Sequence, residues 1–233
     1  FLFNNPNNPT GMVYTREEIA ALADVVAKHP DTWVITDDIY NTMVFDGLGY
    51  HNFVQARPEL RERVIFVDSL SKTYGMPGWR VGFMAGPEVV AKAVTVLNST
   101  HITNLPEVVT AAAVAALTGP QDFLEERNSV FKKRRDMVVA MLNDAPGLDC
   151  PTPEGAFYVY PDISGCIGKT SAAGTLIADD EAFASALLEE TGVAVVFGAA
   201  FGLSPNFRVS YATADETLRE ACSRIQAFCA GLK

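Results

Sequence analysis

The first 85 residues alternate short apolar runs with one longer amphipathic segment. Four runs have the length and composition of buried strands: residues 1–3, 33–35, 64–67 and 81–85. Between the first two runs, Thr15 and Glu18 have the spacing of a capping box, and the apolar positions that follow recur on one helix face as far as Lys28. This alternation of strands and a helix predicts an α/β fold with a mainly parallel sheet.

The middle of the chain has the longer apolar period that is typical of helices. Residues 88–97, 107–117 and 121–142 each predict a helix, with a break at residues 98–106. The third of these helices carries a basic cluster at residues 132–135. We interpret this cluster as a solvated helix face and assign it no ligand.

After residue 146 the apolar runs become shorter and turn residues more frequent. We expect strands at residues 157–160, 193–196 and 207–211, and helices at residues 180–190 and 215–230. The polar segment at residues 164–174 predicts a surface loop. We therefore divide the chain into residues 1–135, which belong to a large domain with a mainly parallel sheet, and residues 136–233, a small α+β C-terminal domain.

Composition narrows the class of protein without identifying it. The 233 residues are 48% hydrophobic, which is enough for a substantial core, and carry a formal net charge of −10. This charge argues against nucleic acid and anionic membrane as partners. The longest apolar run, residues 193–203, is far too short to cross a membrane, and no signal peptide is visible. We expect a cytoplasmic protein.

The cysteines and histidines do not form a recognisable metal or hydrolase motif. The cysteines lack zinc-site spacing: Cys150, Cys166, Cys222 and Cys229. Cys222 and Cys229 are seven residues apart on a predicted helix and are expected to face the core. The three histidines are scattered, at His29, His51 and His101. The sequence therefore gives little support to a metal site or a Ser-His-Asp hydrolase.

Candidate chemistry is concentrated at residues 69–80, between two predicted strands. Lys72 is expected on a loop at a strand end, where α/β sheets commonly build their sites. A lysine amine there can form a Schiff base with an aldehyde cofactor, and Ser69 and Arg80 can hold a phosphate on the same cofactor. These residues predict a pyridoxal phosphate site, although an isolated loop lysine is more often a solvated surface residue.

Three further segments place polar groups next to predicted strands. They are residues 7–11, residues 37–40 and residues 207–211. With these four motifs in this order, the chain from residue 4 onward resembles fold type I pyridoxal-phosphate-dependent enzymes of the class I/II aminotransferase family. Four motifs in family order form a far more specific signal than any of the segments alone.

The resemblance assigns four residues to the cofactor's ring and to proton transfer. Lys72 matches the Schiff-base lysine, which in the family also moves the substrate α-proton. Asp37 matches the carboxylate that pairs with the pyridinium nitrogen. Tyr40 and Asn8 match the two donors to the cofactor's phenolic oxygen. By this resemblance, Lys72, Asp37 and Tyr40 are the catalytic residues.

The resemblance also implies the residues that hold the charged groups. Ser69 and Arg80 match phosphate anchors. Arg208 matches the arginine that binds the substrate α-carboxylate in a planar pairing, and Asn8 would also contact substrate. Because the family often holds the corresponding bond cis, we predict a cis Asn8–Pro9 peptide bond.

Each of these residues also has an ordinary structural explanation. Asp38 competes with Asp37 for the role at the ring nitrogen, but the spacing to Tyr40 favours Asp37, and we expect Asp38 to be solvated or to cap a helix. Asn8 can serve the turn before a proline, Arg208 can form an edge-strand ion pair, and Tyr40 can be a core residue. The agreement of all four motifs favours the functional interpretation.

The expected activity is amino transfer between an amino acid and a 2-oxo acid by a ping-pong Schiff-base mechanism. Residues 153–158, 192–196, 200–202 and 207–212 are most similar to the bacterial aspartate aminotransferase branch, so aspartate and 2-oxoglutarate are the expected substrates. Two alternatives remain open: a pyridoxal-dependent C–S β-lyase of the same fold, and the sensor domain of a transcription regulator.

The match to the family pattern begins in the middle of the family's large domain. We therefore expect the chain to be the C-terminal portion of a longer polypeptide whose N-terminal half supplies further phosphate and ring contacts. The family also implies a homodimer.

Overall fold

A computed structural model describes all residues from 1 to 233. The strands are β1 (Leu2–Asn4), β2 (Val34–Asp37), β3 (Val64–Ser69), β4 (Gly82–Ala85), β5 (Tyr158–Val159), β6 (Val196–Phe197) and β7 (Phe207–Ser210). The helices are α1 (Arg16–Ala27), α2 (Phe53–Ala56), α3 (Leu70–Thr73), α4 (Glu88–His101), α5 (Glu107–Thr118), α6 (Phe123–Asn143), α7 (Asp180–Thr191) and α8 (Asp215–Gly231).

The chain forms two compact units, and the division falls inside α6. The first unit comprises Phe1–Asn7 and Met12–Glu126, and the second comprises Asn8–Gly11 and Arg127–Lys233. The short segment Asn8–Gly11 therefore belongs with the C-terminal part of the chain. The domain boundary at residue 135 that the sequence suggests stays a prediction.

The first unit is built on a four-stranded sheet in the order β1-β2-β3-β4. β1, β2 and β3 run parallel, whereas β4 pairs with β3 in the antiparallel direction. The prediction of a mainly parallel sheet is therefore confirmed. Because the three parallel strands point the same way, the residues after β2 and after β3 lie at one edge of the sheet.

α1 and α2 pack against this sheet through an apolar cluster. Its central members Ile19, Val34 and Phe53 are fully buried. The predicted capping box is present, since the Thr15 hydroxyl accepts from the Glu18 amide while the Glu18 carboxylate accepts from the Thr15 amide. The cap satisfies amides that the first turn of α1 would otherwise leave unpaired.

The second unit combines a small antiparallel sheet, in the order β5-β7-β6, with α7 and α8. Phe183 of α7 stacks on Phe207 of β7 and meets Phe228 of α8 edge-on. Cys222 and Cys229 are buried on the inner face of α8, as their spacing predicts. None of the helices is both long and apolar enough to cross a membrane.

Two predicted elements are wrong in extent by three or more residues. The apolar run at residues 193–196 forms a strand only at Val196–Phe197, because only these residues pair with β7. α4 continues to His101, so the break expected from residue 98 begins later. In both cases apolar composition marks the region, whereas hydrogen-bond pairing sets the ends.

Two polar segments that we expected to be solvated are partly buried. Arg135 is only 2% exposed, because it lies on the same helical stripe as buried Val138, Val139 and Leu142. Its guanidinium donates to the Pro153 carbonyl at 3.0 Å and to the neighbouring Asp136 carboxylate. The predicted surface loop at residues 164–174 contains buried side chains too, Cys166 and Ser171.

Candidate functional site

The first unit brings Asp37 and Lys72 to the same edge of the sheet. Asp37 is the last residue of β2, and Lys72 lies in α3, which begins directly after β3. β2 and β3 are parallel neighbours, with Asp37 in register with Val67. Tyr40 follows Asp37 by three residues and is buried. The expectation of a loop at Lys72 is wrong: the residue lies in a one-turn helix, capped by Ser69.

Asp37 is held through its backbone, while its carboxylate has few partners. The backbone carbonyl accepts a 2.8 Å hydrogen bond from the Asn4 side-chain amide and a 3.4 Å bond from the Asn5 amide. The carboxylate accepts a long bond, at 3.4 Å, from the Ile39 amide. Burial raises the pKa of Asp37, and the bond from Ile39 offsets this only in part. A partly buried carboxylate of this kind is suited to pairing with a positive group.

The surroundings of Asp38 differ from those that the sequence predicts. It is fully buried rather than solvated, and its Oδ1 accepts a 2.6 Å hydrogen bond from the Thr36 hydroxyl. Its other oxygen, Oδ2, has no hydrogen-bond partner, and neither has the buried hydroxyl of Tyr50. Burial raises the pKa of Asp38 to about 6. Successive strand-end side chains point to opposite faces, which explains how Asp37 and Asp38 reach different surroundings.

The two predicted phosphate anchors flank α3. The Ser69 hydroxyl accepts from the Ser71 amide at 3.0 Å and donates to the Val81 carbonyl at 2.8 Å, so it caps the helix. Arg80 has left-handed backbone angles, φ 55° and ψ 42°, and an exposed guanidinium whose Nη1 donates to the Pro77 carbonyl at 2.9 Å. Arg80 is therefore accessible to an anion, whereas Ser69 already has a structural role.

The second unit contains the other two predicted residues, Asn8 and Arg208, and joins them directly. Nη1 of Arg208, on β7, donates a 2.8 Å hydrogen bond to Oδ1 of Asn8. The Arg208 guanidinium lies 4.7 Å from the ring centre of Tyr158 and 4.9 Å from that of Phe201. The two aromatic rings thus fix the guanidinium through cation–π contacts.

Gly11 explains how the segment at Asn8–Gly11 docks in the second unit. Its φ of +70° is left-handed, and an added Cβ would lie 2.5 Å from the Cβ of Pro153. The Gly11 carbonyl accepts from the amides of Glu154 and Gly155 at 3.1 and 2.8 Å. The Asn8–Pro9 peptide bond is cis, as predicted.

The sequence-predicted residues therefore divide between the units. Lys72, Asp37, Tyr40, Ser69 and Arg80 belong to the first unit, and Asn8 and Arg208 to the second. Sequence reasoning missed the two rings that hold Arg208. Tyr158 lies in a predicted strand and Phe201 in a Gly-rich turn, and no local motif marks either ring as a partner of the arginine.

Comparison with known proteins identifies the family of the chain. The family model described as aminotransferase class I and II matches residues 1–225. The chain belongs to this family. The fold type I prediction is thereby confirmed, because the chain also superposes on solved aspartate aminotransferases. With the structure from Rhizobium meliloti, the TM-score is 0.97 at 44% identity, covering 100% of this chain and 58% of that one.

Curated relatives support the same family membership. An aspartate/prephenate aminotransferase from Cereibacter sphaeroides is 60% identical over 232 residues, covering 100% of this chain and 58% of the relative. An aspartate aminotransferase from Rhizobium meliloti is 46% identical over 229 residues, covering 98% and 56%. The chain thus spans somewhat more than half the length of the curated relatives that it matches.

Proposed function

We propose that the protein is a pyridoxal-phosphate-dependent aminotransferase. The observation that carries this proposal is the position of Lys72 and Asp37 at one edge of two adjacent parallel strands, in a chain of the aminotransferase class I and II family. A lysine amine and a partly buried carboxylate are the two groups that pyridoxal chemistry requires from this part of the protein.

The residues present fit the cofactor. The pKa of Asp37 is raised by burial and no cation pairs with its carboxylate within the chain, so a protonated ring nitrogen would supply the missing positive partner. The exposed guanidinium of Arg80, with Ser69 nearby on β3, would hold the phosphate. We propose that Tyr40 and Asn8 donate to the phenolic oxygen. When bound, pyridoxal phosphate supplies an aldehyde that combines with amines and a ring that withdraws electrons from the substrate's α-carbon.

Substrate binding is assigned to the second-unit group. Arg208 would pair with the α-carboxylate of the amino acid through the N–H groups that it does not donate to Asn8. The rings of Tyr158 and Phe201 hold the guanidinium in place before substrate arrives, so little side-chain freedom is lost on binding.

Proton transfer is assigned to Lys72. Its Nζ would take the proton from the α-carbon of the donor amino acid. It would then deliver this proton to the cofactor carbon that had been the aldehyde carbon. The reverse sequence on a 2-oxo acid completes amino transfer.

We propose L-aspartate as the amino donor and 2-oxoglutarate as the acceptor, because relatives with 46% and 60% identity carry aspartate aminotransferase in their names. Prephenate is a second candidate acceptor, since the relative with 60% identity is named for prephenate as well. A homodimer, a cytoplasmic location and an additional N-terminal half stay predictions.

The test is an end-point assay on the full-length protein with L-aspartate and 2-oxoglutarate, with and without added pyridoxal phosphate. We expect glutamate and oxaloacetate in equal amounts, and no product from a Lys72→Ala variant. Replacement of 2-oxoglutarate by prephenate tests the second acceptor. Pyruvate and ammonia released from a cysteine conjugate without any acceptor would instead support the β-lyase alternative and contradict the proposal.

A further inference from the structure

The segment that follows β2 and the helix that follows β3 are joined by side chains to which the sequence motifs assign no role. We propose that Asn41 and Asp68 form a positioning pair that fixes the segment bearing Asp37 and Tyr40 relative to α3, which bears Lys72. This inference rests on the proposed function, because its consequence is the placement of the cofactor's ring contacts against the reactive amine.

Asp68 is the centre of the connection. Its Oδ1 accepts a 2.6 Å hydrogen bond from the Ser69 amide, and its Oδ2 accepts a 2.7 Å bond from the side-chain amide of Asn41. Asp68 is only 8% exposed, so both bonds are largely shielded from water. One carboxylate thus connects the start of the Lys72 helix to the residue that follows Tyr40.

A second contact reinforces the first. The hydroxyls of Thr42 and Thr73 lie 3.0 Å apart, in hydrogen-bond contact. Asn41 is adjacent to Tyr40, and Thr73 is adjacent to Lys72, so the two side-chain bridges lie directly beside the two proposed functional residues. The same segment is held at its start by the Asp38 amide, which donates to the Val67 carbonyl at 3.0 Å.

The two hydrogen bonds to Asp68 also affect its charge. Burial raises the pKa of Asp68, the bonds from Ser69 and Asn41 lower it, and the nearby Asp37 carboxylate raises it. The two donors compensate an ionised carboxylate for the water that it has lost. An amide facing a carboxylate is therefore the matched pair at this position, and two carboxylates would repel each other.

This complementarity provides a test, because the two side chains can be exchanged. In Asn41→Asp, two carboxylates face each other and the bridge is lost. In the double variant N41D/D68N, the new amide at position 68 donates to the new carboxylate at position 41 and still accepts from the Ser69 amide. Asn98→Asp, at an exposed position on α4, adds the same charge outside the bridge and is the matched control.

The experiment measures three quantities on the full-length protein with pyridoxal phosphate: kcat and KM for L-aspartate, and the pH midpoint of the bound cofactor's visible absorbance. For Asn41→Asp we expect kcat to fall roughly tenfold or more, KM to change less than about threefold, and the midpoint to move. The double variant is expected to return kcat and the midpoint close to the wild-type values, and Asn98→Asp to match wild type.

Each of the other possible outcomes overturns a stated part of the proposal. If Asn41→Asp matches Asn98→Asp while the wild type is active, the positioning role is overturned and the proposed function stands. If the double variant stays as impaired as Asn41→Asp, or does not fold, exchangeable pairing is overturned. A wild-type protein without amino transfer overturns the proposed function, and this inference with it.

Discussion

Arg208 donates a 2.8 Å hydrogen bond to Asn8, although 200 residues separate them in the chain. Both belong to the second unit, since the short segment Asn8–Gly11 docks there rather than with the strand that precedes it. The bond leaves other N–H groups of Arg208 for a ligand and holds one edge of the guanidinium. The sequence predicts a functional role for both residues but gives no indication that they contact each other.

We predict that Arg208→Ala impairs substrate binding and spares the cofactor. A planar guanidinium pairs with a carboxylate through two hydrogen bonds, so its loss should cost about 2 to 5 kcal/mol, or roughly 30-fold or more in kcat/KM for L-aspartate. Arg208→Lys should recover only part of this, because an ammonium lacks the fork geometry.

The control for this prediction is Arg224→Ala. Arg224 is exposed and pairs with Glu220 on α8, so its removal should leave kcat/KM unchanged. The bound cofactor's visible absorbance should persist in both variants. An Arg208→Ala protein with wild-type kcat/KM would exclude Arg208 from carboxylate binding.

We predict that Asn8→Asp raises the KM for L-aspartate roughly tenfold and also lowers kcat, because a carboxylate cannot donate to the cofactor's phenolic oxygen. A carboxylate at this position would form an ion pair with Arg208 and compete with the substrate's α-carboxylate for the same guanidinium. Steady-state kinetics measure the effect, with the exposed Asn98→Asp as the charge-matched control. An unchanged KM would mean that substrate does not use this guanidinium.

We predict that substitutions at two adjacent acids have unequal effects on kcat. Asp37→Asn should lower kcat roughly 10- to 100-fold, because it replaces a charge-assisted hydrogen bond to the ring nitrogen by a neutral one. Asp38→Asn should stay within about threefold of wild type, since Asp38 is fully buried and bonded to Thr36. Measured kcat values in the reverse order would assign the ring nitrogen to Asp38.

We predict that Asp38 makes stability depend on pH. Its pKa is about 6 in the folded protein and about 3.9 in an unfolded chain, so between these values only the folded protein keeps the proton. The free energy of unfolding should therefore fall as pH rises from about 4 to 6 and then become constant with respect to this group. The difference between the folded and unfolded pKa values corresponds to about 3 kcal/mol of stability.

The test of this pH dependence is urea unfolding of wild type and Asp38→Asn at about pH 4 and pH 7. Asn keeps an acceptor for the Thr36 hydroxyl but has no charge to bury. The stability of the variant relative to wild type should rise by about 2 to 3 kcal/mol between the two pH values. Parallel pH profiles for the two proteins would contradict the assignment. Asp37 and Asp68 remain in both proteins, and their charges add to the effect of burial in raising the pKa of Asp38, so the difference between the two profiles reports Asp38 together with this coupling.

The sequence predicts the elements of this fold well because apolar periodicity and capping are local signals. The Thr15–Glu18 capping box is an example: the residues and the bonds they form lie within one turn. Burial of a charged residue is less predictable. Asp38 and Arg135 are polar residues in polar contexts, and only tertiary packing places them inside.

The candidate site likewise has features that the sequence predicts and features that it does not. By resemblance, motif order predicts functional roles for Lys72, Asp37 and Arg208, because the chemistry needs those side chains whatever their surroundings. The contacts around them join distant parts of the chain, such as the Tyr158 ring with Arg208 and the Asn41 amide with Asp68. No local pattern encodes these contacts.

The central claim is that Lys72 carries the cofactor, and reductive trapping tests it most directly. The full-length protein would be loaded with pyridoxal phosphate, reduced with sodium borohydride, digested with a protease and analysed by mass spectrometry. We predict a single pyridoxyl-modified peptide, with the label on Lys72 and none in Lys72→Ala. A label on another lysine such as Lys169, or no label in a protein that performs amino transfer, would contradict the account.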